Sequence, residues 1–289
     1  MPTTTEKRKM FRKLHEGGCF AIPNPWDIGS ARYLQHLGFK ALATTSAGFA
    51  FSRGLSDGAV PRDVMLAHIR ELVEAADIPV NADFENGYAH EPNEVAENVR
   101  LCLETGVAGL SIEDSTGDKE KPLYQLDYAV ARIKAARAEI DRSSSDVMLV
   151  GRAECFLVGL PEIEEVTRRL KAYAEAGADC LYAPGIRTRE DIRAVVRAVA
   201  PKPVNVLIGG PMGLTMTDLA ALGVRRVSVG GALARAAWGG LMRAAKDLAE
   251  HGRFDGFEGA APHDELNEFF REDAKRRAYG QTSNSEKHS

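Results

Sequence analysis

The sequence predicts an α/β chain folded as a (β/α)8 barrel, with an extra helix at its C-terminal end. Three observations predict it. Eight short apolar runs alternate with amphipathic helical patterns along the chain, the element count of such a barrel. Four of these runs follow a glycine by two to four residues, and glycine is the residue that most readily ends a helix in the left-handed conformation. The glycine fingerprint that an open, doubly wound nucleotide-binding sheet carries after its first strand is missing.

Taken in order, CFAIPN supplies the first strand and HLGFKALATTS the second, its Gly38 closing a helix before the apolar run begins. VMLAHIRELVEAA reads as a helix and IPVNADF as the third strand; NEVAENVRLCLE and ETGVAGLSIEDS repeat the pair for the fourth. YAVARIKAARAEI precedes VMLVGRAE, PEIEEVTRRLKAYAE precedes EAGADCLYAPG, and REDIRAVVRAVA precedes KPVNVLIG. MTDLAALG leads into ALGVRRVSVGG, the eighth strand, and LARAAWGGLMRAAKDLAE follows it. The apolar positions in each helix recur at three- and four-residue spacing, as one buried face requires. Residues 1–260 are therefore assigned to the barrel. Residues 261–280, PHDELNEFFREDAKRRAYG and its flanks, form a further helix with Leu266, Phe269 and Phe270 on one side. A barrel has no internal place for that face, so it is expected to pack outside, against the barrel or another subunit of a homo-oligomer. The polar residues 281–289 are expected to be a disordered tail.

Composition narrows the partners. The 37 Lys and Arg balance 41 Asp and Glu for a net charge of −4, without a long block of one sign. That argues against nucleic acid and membrane surfaces and for a small molecule. Cys19, Cys102, Cys155 and Cys180 show no C-x-x-C spacing and lie among apolar residues, as reduced core cysteines do. The N-terminus lacks the apolar core of a signal peptide and no stretch reaches the ~20 apolar residues of a membrane span, so a cytoplasmic protein is expected.

Chemistry in this architecture gathers where the strands end. Strand two ends in Thr44, Thr45, Ser46, Ala47 and Gly48; strand three in Asp83 and Glu85; strand four in Glu113 and Asp114; strand five in Arg152 and Glu154; strand seven carries Asn205. Single acids here are often helix caps or solvated rim residues. Together, Asp83, Glu85 and Glu113 form a set of hard oxygen donors that suits Mg²⁺, with Mn²⁺ as a substitute. Zinc is disfavoured, since none of the seven His and four Cys lies among these strand ends. Arg152 suits bidentate capture of a substrate carboxylate, its bland alternative being a salt bridge to Glu154 or Glu113. Ser46 and the N–H groups around Ala47 and Gly48 suit an anionic oxygen.

The ordered set DFENGY, SIEDS, GRAE, TTSAG with GLSDG, and VNVLIGG resembles the isocitrate lyase/phosphoenolpyruvate mutase superfamily, from about Pro23 to Trp238. The resemblance implies a Mg²⁺-dependent barrel that makes or breaks a C–C or P–C bond beside a carboxylate, through a 2-oxo acid enolate on the metal. It implies a direct metal ligand in Asp83, acids acting through water in Glu85 and Glu113, and a nearby acid in Asp57. It further implies a substrate cradle in Ser46, Ala47 and Gly48, a substrate-binding Arg152, and a substrate-contacting Asn205. Terminal helices of members are often exchanged between subunits, which implies a dimer or tetramer.

Two departures bear on the reaction. The acid pair is Asp-x-Glu rather than Asp-x-Asp, and the Lys-Lys-Cys-Gly-His loop of the lyase subgroup is replaced by STGDKEKPLYQ, without cysteine or histidine. Cleavage of isocitrate or methylisocitrate thereby loses its thiol acid. A C–C lyase working on a small 2-oxo or 2-hydroxy dicarboxylate, above all decarboxylation of one like oxaloacetate, fits better. Hydrolysis of phosphonopyruvate or an acylpyruvate, and mutase-type P–C chemistry, are the alternatives. Two further readings are a phosphate site at IGG and SVGG, and a non-catalytic barrel that binds a 2-oxo acid.

Overall fold

Eight strands form one parallel sheet: β1 Phe20–Ile22, β2 Leu42–Ala43, β3 Val80–Asp83, β4 Gly109–Glu113, β5 Met148–Arg152, β6 Cys180–Tyr182, β7 Val204–Leu207 and β8 Arg226–Ser228. The computed structural model describes residues 2–285, with side chains to residue 278. The strands pair in the order β1-β8-β7-β6-β5-β4-β3-β2. At the β1/β2 seam the Ala43 N–H donates to the Pro23 carbonyl (3.1 Å) and Asn24 Nδ2 to the Thr44 carbonyl (2.8 Å). The barrel is thus nearly closed, and all eight expected strands are present.

Seven helices fall where periodicity places them: α4 Arg62–Ala75, α5 Pro92–Leu103, α6 Leu126–Arg142, α7 Ile163–Glu175, α8 Arg189–Val199, α9 Met216–Ala221 and α10 Ala232–His251. α2 Ile28–His36 is the helix that the junction at Gly38 implies, while two more were not expected: α1 Thr4–Glu16 and α3 Ser46–Ser52. A capping box starts α1, with the Thr3 hydroxyl accepting from Glu6 N–H and the Glu6 carboxylate accepting from Thr3 N–H. This helix plugs the N-terminal end of the barrel with Phe11, fully buried beside Ala41, Ala108 and Met148. Gly109 makes room for it, because a Cβ there would lie 2.7 Å from the Phe11 ring and 2.7 Å from Asn81 Oδ1. With that end filled, the remaining opening is at the C-terminal ends of the strands.

The C-terminal helix α11 spans His263–Ser285, so the boundary expected at residue 280 falls inside it. Residues 286–289 of the expected tail lie outside the described residues. The α11 face packs on α2 of its own chain: Phe269 meets Tyr33 edge to face at 5.2 Å, and Asp273 receives two nitrogens of Arg32 at 2.6 to 3.0 Å. Leu266 and Phe270 stay partly exposed, at 41% and 42%. Cys102, Cys155 and Cys180 are buried and free, as expected, while Cys19 is only half-buried. No helix among the described residues is long and apolar enough to cross a membrane.

Two buried histidines give the fold an acid limit. Burial, reinforced by the charge of Arg226, takes the His15 imidazole from 6.5 to about 3, and burial takes His68 from 6.5 to about 4. Neither Nε2 has a hydrogen-bond partner, so a proton on either ring would be unsatisfied. Both rings bind protons more weakly folded than unfolded. Their contribution is therefore complete above the unfolded value and is lost as pH falls toward the folded one. We expect unfolding free energy to drop by about 1.4 kcal/mol per histidine per pH unit between about pH 6 and pH 4. His68→Phe, which keeps the 3.6 Å stack on Phe49, should remove one of the two contributions in urea melts. An unchanged slope would show that His68 is not held neutral.

Candidate active site

The cavity at the open end of the barrel has a volume of about 180 Å³ and is lined by Ser46, Ala47, Asp57, Asp83, Arg152 and Asn205 of the expected residues. Tyr182, Arg226, Ser228 and Asn24 also line it. These four were not expected, although TIM-barrel alternation places every second strand residue inward.

Arg152 is the centre. Its Nη1 lies 3.1 Å from Asp83 Oδ1 and 3.2 Å from Glu113 Oε2, its Nε is bonded to Glu154, and its guanidinium carbon is 5.1 Å from the Tyr182 ring centre. Pairing with Glu113 and Glu154, the bland alternative, is therefore present, with Asp83 added. Burial works against the charge of Arg152, but Glu113 and Glu154 outweigh it and hold the group well above its ordinary value. Glu113 is pushed well up by burial, with Arg152 opposing and Glu154 adding. Burial raises Glu154 as well, against the pull of Arg152.

Asp83 ends β3 and is held from both sides. Its Oδ2 accepts from the Ser46 N–H (3.0 Å) and hydroxyl (3.1 Å), and its own N–H donates to Thr44 Oγ1 (2.8 Å). The Ser46 N–H expected to cradle substrate thus donates to Asp83. The Ser46 hydroxyl also lies 3.2 Å from Asp57 Oδ1, and burial, then the charge of Asp83, raises the Asp57 carboxyl. Gly48 does not line the cavity: its N–H donates to Thr45 Oγ1 (3.2 Å). A Cβ on Gly48 would meet Ala234 at 3.1 Å and Trp26 at 3.2 Å, so close packing of α3 accounts for that glycine.

Glu85 does not share a strand face with Asp83. The strand stops at Asp83, Glu85 has φ +47°, and its carboxylate accepts from the Tyr88 hydroxyl (2.9 Å). The register pairs Asp83 with Ser111, while the Glu113 N–H donates to the Glu85 carbonyl (3.0 Å). Glu113 is therefore level with Glu85, one step above Asp83. Burial lifts the Glu85 carboxyl to about 7, the Tyr88 bond opposing and Asp83 and Asp57 adding. Asp114, beside Glu113, is structural: Arg169 (3.0 Å) and the Tyr173 hydroxyl (2.6 Å) fix it against α7.

A hard divalent cation fits this donor set in kind. Burial first, and neighbouring carboxylates after it, raise the carboxyl pKa values of Asp57, Glu85, Glu113 and Glu154, as expected for acids held together away from water. Among the described residues no three such side chains already converge as a cage. Arg152 sits between Asp83 and Glu113, and Glu85 is turned to Tyr88. The loop Ser115–Gln125 is folded on itself by the Ser115–Leu123 bridge, and its Lys119 and Lys121 are exposed.

The chain matches the phosphoenolpyruvate phosphomutase family over residues 11–249. A crystal structure from Burkholderia cenocepacia J2315, provisionally named a lyase/mutase, is 48% identical, covers 93% of this chain and 97% of that one, and superposes with a TM-score of 0.90. An oxaloacetate decarboxylase of Paraburkholderia xenovorans (strain LB400) is 32% identical over 233 residues, 78% of this chain and 75% of the relative. The structure of oxaloacetate acetylhydrolase with its product oxalate is 28% identical, covers 98% and 100% of the two chains, and has a TM-score of 0.83. These matches agree with the eight-stranded barrel and with the ordered motifs: the chain belongs to the phosphoenolpyruvate phosphomutase family, within the isocitrate lyase/phosphoenolpyruvate mutase superfamily.

Proposed function

We propose that this chain is a cytoplasmic carbon–carbon lyase that requires Mg²⁺ or Mn²⁺ and decarboxylates or cleaves a small 2-oxo or 2-hydroxy dicarboxylate of the oxaloacetate kind, through an enolate. The observation that carries this reading is the small cavity lined by Asp83 and Arg152, the Arg152 guanidinium being paired with Asp83, Glu113 and Glu154. The named activities of the decarboxylase and acetylhydrolase relatives support it.

In this reading Asp83 would ligate the cation, and Glu85 and Glu113 would be acids acting through water. The cation, when bound, polarises the 2-oxo group. Arg152 exchanges one of its acids for the substrate carboxylate, Glu154 keeping the guanidinium oriented, and Asn205 donates to a substrate oxygen. The Ser46 N–H, where it parts from Asp83, and the neighbouring Ala47 would face the developing negative charge, with Gly48 packed behind them. The bond between C3 and the departing carboxylate breaks, its electron pair forms the enolate, carbon dioxide leaves, and C3 takes a proton from water. Asp57 holds the Ser46 hydroxyl in place during these steps.

The test is a panel of 2-oxo and 2-hydroxy dicarboxylates with Mg²⁺, following pyruvate and carbon dioxide, before and after exhaustive chelation and with Mn²⁺ added back. We expect oxaloacetate to turn over above its spontaneous rate and chelation to remove the difference. Activity that survives chelation refutes the metal. Oxalate and acetate in place of pyruvate and carbon dioxide would identify hydrolysis of the C2–C3 bond instead. Turnover of isocitrate or methylisocitrate at about 10⁴ M⁻¹s⁻¹ or more would show that a group other than the missing loop cysteine delivers the proton.

The functional unit in this reading is a homo-oligomer, a dimer or tetramer. On α10 and the turn after it, Leu241, Met242, Phe254 and Phe257 are 52% to 67% exposed, an apolar surface that a second copy would cover. Light scattering should give at least a dimer, and truncation before Pro262 should lower that mass or the solubility. A monomeric full-length chain would refute it.

A further inference from the structure

Arg226 is a buried cation that the reaction outlined above leaves without a role. It opens β8, is 3% exposed, and lines the catalytic cavity. Its Nε donates to Asn205 Oδ1 (2.8 Å) and its Nη1 to Asn81 Oδ1 (3.4 Å). Among the described residues no carboxylate pairs with it. Other buried arginines are compensated differently: Arg32 by Asp77 and Asp273, Arg169 by Asp114 and Glu165, and Arg132 by the carbonyls of Asn86, Ala89 and His90. Two amide oxygens offer Arg226 dipoles but no opposite charge, and a buried charge without a counter-charge is costly. Its field reaches His15, where it helps to keep the imidazole neutral.

The strand register places this charge relative to the rest of the site. Glu113, Arg152, Tyr182, Asn205 and Arg226 are successive lateral partners across β4 to β8, so the two guanidinium groups flank Tyr182 and Asn205 on one band of the barrel wall. Arg152 already has three carboxylates around it. Arg226 has none. A guanidinium can only donate, so Asn205 must turn its oxygen to Arg226 and its Nδ2 to Ser228 Oγ (2.9 Å). Arg226 thereby also fixes which face Asn205 shows to a ligand.

We propose that Arg226 receives a second carboxylate of the substrate, so that the cavity selects small dicarboxylates over monoanions of the same shape. This rests on the reading that the cavity binds a small carboxylate, and it assigns the part of the ligand that Arg152, crowded by its own acids, leaves unmatched. Charge and fork geometry both favour a carboxylate as the occupant.

The experiment is calorimetry on the full-length protein with Mn²⁺, using succinate and succinamate, which have nearly the same shape and differ by one charge. The wild type should bind succinate at least about tenfold more tightly than succinamate. Arg226→Gln should bring succinate to the level of succinamate while succinamate itself changes by less than about twofold, and Arg226→Lys, which keeps the charge, should retain most of the preference. A merely structural arginine would weaken both ligands alike and leave their ratio unchanged, which overturns the inference. Should Arg226→Gln not fold, the wild type and Arg226→Lys decide: loss of the preference in the wild type, or its absence in a folded Arg226→Lys, overturns it. If the wild type binds neither succinate, succinamate nor pyruvate, the carboxylate reading of the cavity fails first. If all three bind and the ratio survives Arg226→Gln, only the role of Arg226 fails.

Discussion

Asp83→Ala is expected to abolish turnover, lowering kcat/KM by at least about 10³-fold, while the thermal midpoint stays at or above that of the wild type. The two halves of this result have separate causes. The Asp83 carboxylate receives the Ser46 N–H, the Ser46 hydroxyl and Arg152 at once, so its loss frees the serine, takes one of three carboxylates from Arg152 and, in the proposed reading, removes the cation ligand. Stability moves the other way because Asp83 sits in a crowd of like charge: it raises the carboxyls of Asp57 and Glu85. Arg152, meanwhile, keeps Glu113 and Glu154. Asp83→Asn separates charge from shape, since the amide oxygen can still accept from Arg152. It should be nearly as inactive as the alanine variant if the negative charge is what matters. Wild-type efficiency in either variant would remove Asp83 from the site.

The strands were legible because each is a short apolar run bounded by turn residues, and four are announced by a helix-ending glycine such as Gly38 or Gly177, at φ +90° and +103°. The first helix was not, for a physical reason. Its buried positions are Lys7, Phe11 and His15, a four-residue stripe in which only one member is apolar, so hydrophobic periodicity has nothing to detect. Lys7 can be buried because its Nζ donates to the carbonyls of Val73 and Ala76. That is a tertiary contact invisible in local sequence. The seven residues of α3 are fewer than two turns, too short for a pattern. At the site, the acids could be found but not their directions. Strand alternation carried past the end of β3 puts Glu85 beside Asp83, whereas the left-handed backbone at Glu85 sends it to Tyr88. Adjacent Glu113 and Asp114 look equivalent in SIEDS, yet one faces Arg152 and the other is fixed by Arg169 and Tyr173. Arg225-Arg226 posed the same ambiguity in the eighth strand: alternation sends one residue inward, and the sequence alone does not say which.

Arg152→Met should be both inactive and destabilised, and the destabilisation should depend on pH in a defined direction. Removing one partner from a buried ion pair costs about 3–5 kcal/mol because the other charge is left uncompensated, and here Glu113 and Glu154 are both left. Each already has a carboxyl pKa raised by burial, and Arg152 is the main influence opposing that rise. Without it both values climb further above those of the unfolded chain. A carboxyl whose folded value lies above its unfolded one binds protons more tightly when folded. Stability is therefore gained as pH falls through the folded value and lost as pH rises through it. The deficit of Arg152→Met relative to wild type should accordingly be largest near pH 8 and shrink toward pH 5, the opposite of the trend set by His15 and His68, which is common to both proteins and cancels in the difference. Arg152→Lys keeps the charge and loses the fork and the contact with Tyr182. It should fold with a small deficit but raise KM by about tenfold or more. Paired urea melts at the two pH values and steady-state kinetics decide the matter. A deficit that does not change with pH would mean that Glu113 and Glu154 find water or another cation when Arg152 is gone, and an unchanged KM in Arg152→Lys would mean that the guanidinium organises the acids without touching substrate.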